Sequence, residues 1–125
     1  MSAPTSAEGG PVASTTVQQE FDAFLAKFRA ALTANDAAAV AGMTQLPFMP
    51  YLDGGGGGSD VAEFRAKSYP RFFTAKTRRC LARTNALYDR GRDGGESFVI
   101  FCGNLGFYFQ KTQKGFLFTE IGPDD

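Results

Sequence analysis

The sequence predicts an α+β domain, with helices first and an antiparallel meander last, and the prediction rests on three observations. Phe98, Phe101, Phe107, Tyr108, Phe109, Phe116 and Phe118 crowd three short runs separated by Gly103, Gly106 and Gly115, the pattern of buried strands joined by tight turns. Before residue 74 the apolar residues recur at helical spacing instead. A chain of 125 residues buries one core, so both halves belong to one domain.

Residues 1–15 are small or polar, with almost nothing to bury, and read as a disordered tail; the single domain is assigned to residues 16–125. The tail lacks the basic start and apolar core of a signal peptide, and it resembles the spacer left after one is removed. A periplasmic or secreted location is therefore suspected, with the cytoplasm as the alternative. From Val17 the residues Val17, Phe21, Phe24, Leu25, Phe28 and Leu32 mark a long amphipathic helix, with Thr16 and Gln19 placed as a capping box. Asn35 or Asp36 caps a short second helix from Ala37 to Met43, turning Val40 and Met43 inward. The stretch from Leu46 to Leu52 reads as extended, and its two prolines confine it to an edge.

The run Gly54 to Gly58, closed by Ser59, lacks the lysine of a phosphate loop and reads as a surface loop, either native or an artificial replacement for a native one. Asp60 and Glu63 form a second capping box, opening a third helix that carries Val61, Phe64, Tyr69, Phe72 and Phe73 and is kinked or restarted at Pro70. Strands are predicted over Arg79 to Tyr88, Glu96 to Cys102, Leu105 to Lys111 and Phe116 to Ile121.

Composition excludes more chemistry than it suggests. Histidine is absent, which removes the commonest general base, the usual partner of a serine or cysteine nucleophile and the commonest metal ligand. Two distant cysteines make no structural zinc site, so no metal and no cofactor are expected. No apolar run approaches the roughly 20 residues of a membrane span. Net charge is zero, yet Arg65, Lys67, Arg71, Lys76, Arg78, Arg79, Arg83, Arg90 and Arg92 are opposed over their span only by Asp89. Such a cluster is either an anion-attracting patch or a solvated face balanced by distant acids; nucleic acid is not the expected partner, because the pI is near 6.2 and no recognition motif accompanies the charges.

In a symmetric hairpin turning near residue 92, Cys80 and Cys102 lie on one face within one register step of direct opposition, and either a disulfide or a pair of buried free thiols satisfies that placement. Along the second predicted strand Phe98, Ile100 and Cys102 point one way and Val99 and Phe101 the other, so both sheet faces are apolar. Helices cover one face. The other is left bare, and a homodimer through Val99 and Phe101 is the simplest cover.

Three helices followed by a meander, with the segments Phe21 to Leu32, Leu46 to Phe48 and Phe107 to Ile121, resemble the nuclear transport factor 2-like superfamily, also called the cystatin-like or ketosteroid isomerase-like cone, and in particular its small uncharacterised bacterial members. The resemblance implies three helices packed on a strongly curved sheet of four to five strands around a conical pocket. It implies a non-catalytic binding or interaction domain, holding a small apolar ligand against Phe24, Phe28, Phe64 and Phe72 or a protein partner on the sheet. The alternative it implies is a lyase or isomerase in which Asp53 abstracts a proton next to a carbonyl, with Tyr51, Tyr69, Tyr88 or Tyr108 as hydroxyl donor.

Overall fold

A computed structural model describes residues 12–47, 60–89 and 95–123. Helix α1 (Thr15–Thr33) starts at Ser14, whose side chain accepts a hydrogen bond from the Val17 N–H at 3.1 Å. The cap therefore lies two residues before the predicted Thr16, because starting at Ser14 adds a backbone turn (Gln18 N–H to the Ser14 carbonyl, 2.9 Å) without disturbing the buried stripe. That stripe is Val17, Phe21, Leu25, Phe28, Ala31 and Leu32. Asn35 ends the helix in the left-handed region (φ 53°), while the Asp36 N–H bonds the Ala31 carbonyl and the Asn35 N–H bonds that of Leu32, a Schellman closure. Asp36 then caps α2 (Ala37–Gly42) by accepting from the Ala39 N–H at 3.0 Å.

A third helical run, α3, spans residues 61–72 and starts at Asp60, which accepts from the Glu63 N–H at 2.8 Å. As expected, the helix restarts at Pro70, although the interruption before it is a widened turn rather than a kink. The run passes through a π-helical stretch (Phe64–Ser68), in which the Tyr69 N–H bonds back to the Phe64 carbonyl, and then resumes as Tyr69–Phe72 with Pro70 in its first turn. The widened turn comes just before the residue that lacks an N–H, where the ordinary ladder is interrupted anyway. It leaves Phe64, Ser68, Tyr69, Phe72 and Phe73 all buried.

The predicted strand from Arg79 to Tyr88 is overturned. Thr74 caps a fourth helix, α4 (Ala75–Arg83), and only Leu87–Tyr88 forms a strand, β1. Alanine, lysine, arginine and leucine favour helix, and α4 contains just one β-branched residue, Thr77. The remaining strands are β2 (Ser97–Cys102), β3 (Leu105–Thr112) and β4 (Gly115–Pro123), in one antiparallel sheet of spatial order β1-β2-β3-β4. Gly103 (φ 65°) and Gly115 (φ 97°) supply the left-handed turn positions between them. Residues 43–45 reach the free edge of β4: the Phe118 N–H bonds the Met43 carbonyl at 2.8 Å and the Gln45 N–H bonds the Phe118 carbonyl at 2.9 Å. Most of the segment from Leu46 to Leu52, expected at an edge, lies outside the described residues.

The core lies between α1, α3 and the inner sheet face. Phe21 stacks on Phe98 with ring centroids 3.8 Å apart and planes 5° from parallel, and Phe28 meets Phe109 edge-on at 5.2 Å. Phe73 from the end of α3 meets Phe118 at 5.6 Å. No helix among the described residues is long and apolar enough to cross a membrane.

Candidate interaction face

Strand register assigns the paired residues of β2 to β4 to a face, with a bulge in β4 that leaves Thr119 unmatched and puts Phe118 and Ile121 on the same side. Phe98, Ile100, Phe107, Phe109, Phe118 and Ile121 belong to the core, so Val99, Phe101, Gly106, Tyr108 and Leu117 fall on the outer face together with the polar Ser97, Gln110 and Glu120, with Leu87 directly across from Val99. The predicted interface residues Val99 and Phe101 do fall on one face together. Leu87 is 55 % exposed, Phe101, Tyr108 and Leu117 are half-buried, and Val99 is buried among its neighbours.

Two glycines determine the shape of this face. Gly106 sits opposite both Phe101 and Gly122, and a Cβ at Gly106 would stand 3.0 Å from the Phe101 ring and 3.1 Å from the Tyr108 ring. A Cβ at Gly122 would stand 3.6 Å from the same Tyr108 ring. Phe101 and Tyr108 therefore lean over bare backbone, as aromatic rings do when they shield strand glycines, and the result is a low aromatic surface rather than projecting side chains. Of the outward residues between β2 and β4, only Glu120 is charged.

The four phenylalanines expected to line a pocket are placed in the core. Phe28, Phe64 and Phe72 are buried; Phe24 is half-buried and packs on Phe28 at 5.7 Å and Phe109 at 5.8 Å. A surface cleft of about 350 Å³ lies elsewhere, between residues 44–46 and the β3–β4 turn, with a lining that is polar apart from Leu46 and Leu117. Asp53, Tyr51 and the run Gly54 to Ser59 lie outside the described residues, as do Arg90 and Arg92. The other candidate hydroxyls are scattered: Tyr69 on α3 donates to Asn35 Oδ1 at 2.8 Å, Tyr88 donates to the Glu96 carboxylate, and Tyr108 belongs to the outer face. Among the described residues no group of three acids, cysteines or histidines could hold a metal ion.

No family model, no curated protein and no solved structure matches this chain. Its reading rests on its own geometry.

Cys80 and Cys102 are joined in a disulfide with Cα atoms 6.0 Å apart, but not across a hairpin: Cys80 is on α4 and Cys102 ends β2. Sequence reasoning passed over Arg29, which is half-buried and donates from Nε to the Leu81 carbonyl at 2.9 Å and from Nη2 to the Thr84 carbonyl, closing the C-terminal end of α4. It also passed over Gly106, although a glycine inside an aromatic strand is itself a sign of close ring or backbone approach.

Tyr69 provides a pH test of the α1–α3 junction. Burial raises its hydroxyl above the ordinary tyrosine range, Arg78 opposes the rise and Asp36 adds to it. Because the folded chain holds this proton more tightly than the unfolded chain, the contribution is complete below about pH 10 and is lost as pH climbs through the raised value. Tyr69→Phe is expected to cost about 1 kcal/mol at neutral pH through the lost bond to Asn35. It should also flatten the alkaline fall in stability, and urea melts at about pH 7 and about pH 11 check both effects.

Proposed function

We propose that this chain is a non-catalytic interaction domain that pairs with a second copy of itself through the outer face of its sheet. The observation that carries the reading is the aromatic surface made by Phe101 and Tyr108 over Gly106 and Gly122, flanked by the exposed Leu87. A low, nearly uncharged surface meets its own copy about a twofold axis without burying unpaired charge, and the chain's zero net charge adds no long-range repulsion between copies. A ligand-filled cone is less well supported, because ring-on-ring contacts from Phe21, Phe24 and Phe28 to Phe98, Phe109 and Phe118 occupy the space between α1 and the sheet. The nuclear transport factor 2-like reading, with its strongly curved sheet, belongs to the same proposal and is supported by the helices-then-meander order. A periplasmic or secreted location is supported by the Cys80–Cys102 bond, since such bonds persist in oxidising compartments.

Sedimentation at tens of micromolar is expected to give a dimer, and Phe101→Glu a folded monomer with an unchanged far-ultraviolet circular dichroism spectrum. A monomeric unmodified protein would overturn the pairing.

A further inference from the structure

Helix α4 packs against α1 and β2 through one fully buried side chain and a few specific bonds. Of its nine residues only Leu81 is buried, at 1 % exposure. Its charges are all of one sign: Lys76 and Arg79 stand three apart and Arg79 and Arg83 four apart, with no acid in the helix to relieve them. A helix this short is marginal by itself even when its sequence is favourable, so it persists through its attachments. Those include the Leu81 side chain packed between α1 and β2, the Arg29 bonds to the carbonyls of Leu81 and Thr84, the Arg78 Nη1 bond to the Phe73 carbonyl at 2.8 Å, and the Cys80–Cys102 bond to the end of β2. On either side the chain is fixed independently: Phe73 is buried in the core before α4, and Leu87 and Tyr88 pair with Val99 and Phe98 after it. Cys80 is half-buried and Cys102 buried, so Cys80 is the more accessible end of the bond.

We propose that the Cys80–Cys102 bond is a redox latch, whose reduction by a dithiol releases α4 from β2 while α1 and strands β2 to β4 stay folded. The dithiol supplies two electrons and two protons: the bond between the two sulfurs breaks, Cys80 and Cys102 become thiols, and the reductant leaves as its own disulfide. Release lets the cations of α4 separate, and it exposes Leu81 and the Cys102 end of the inner sheet face. This inference is independent of the pairing proposed above.

Hydrogen exchange followed by mass spectrometry on the full chain, before and after dithiothreitol and after reoxidation, tests it. Amides of residues 78–84 are expected to exchange at least about tenfold faster on reduction, those of β2 and β3 to change little, and protection to return on reoxidation. Cys80→Ala with Cys102→Ala should reproduce the reduced pattern without reductant. Unchanged exchange in α4, a uniform loss across the whole chain, or alkylation of both thiols in the unreduced protein would each overturn the latch.

Discussion

Phe28→Ala is expected to destabilise the domain by about 3–5 kcal/mol, a large share of the whole stability of a domain this size. The ring is 1 % exposed and sits where α1, α3, β3 and β4 meet, with centroids 5.2 Å from Phe109, 5.8 Å from Phe118 and 6.4 Å from Phe73. Truncation forfeits the transfer free energy of the ring and leaves a hole that three phenylalanines on different elements cannot close together. Phe24→Ala, half-buried one turn earlier, should cost less than half as much. The comparison also separates two roles, because a ring lining an open pocket loses mainly solvent-exposed contacts and its removal should cost below about 1.5 kcal/mol. Guanidinium melts with an unchanged slope and a lowered midpoint would place Phe28 in the core, and a small shift would reopen the pocket reading.

The parts of this fold legible in the sequence are those in which burial repeats at a regular period. Six buried positions fix the inward face of α1, and glycines able to take a left-handed φ separate β2, β3 and β4 at Gly103 and Gly115. Helix α4 offers no such signal, since one buried leucine has no period, and Cys80, Leu81 and Tyr88 then read as part of a strand. The cysteines are neighbours for a reason other than the expected hairpin: α4 lies beside β2, so a correct proximity came from a wrong element. The shared outward placement of Val99 and Phe101 was legible as alternation. The surface they build was not, because it depends on rings from β2 and β3 leaning over glycines of β3 and β4. Arg29 was invisible for the same reason. Its acceptors are 52 and 55 residues away in the chain, and nothing local marks an arginine on a helix as a cap for a different helix.

Arg29→Met is expected to cost about 2 kcal/mol in the oxidised protein and close to nothing in the reduced protein. Methionine keeps most of the apolar stem and removes the guanidinium, which leaves the carbonyls of Leu81 and Thr84 without the charged donor that serves them. Hydrogen bonds to a charged group contribute roughly 1.5–3 kcal/mol, and partial exposure of the site puts the expected loss in the lower half of that range. Burial lowers the pKa of Arg29 from its usual value, yet a guanidinium starts so high that it remains charged throughout the neutral range. The dependence on redox state follows from the proposed latch: Arg29 stabilises the domain only while the end of α4 lies against α1, and under that proposal reduction of the Cys80–Cys102 bond ends that placement. Arg29 and Cys80 therefore act on one element, and their substitutions should be strongly non-additive. Urea melts of the unmodified protein, Arg29→Met, Cys80→Ala with Cys102→Ala, and the combined variant give the coupling directly. An Arg29→Met cost of the same size with and without the disulfide would mean that α4 stays docked after reduction, and that Arg29 and Leu81 suffice to hold it.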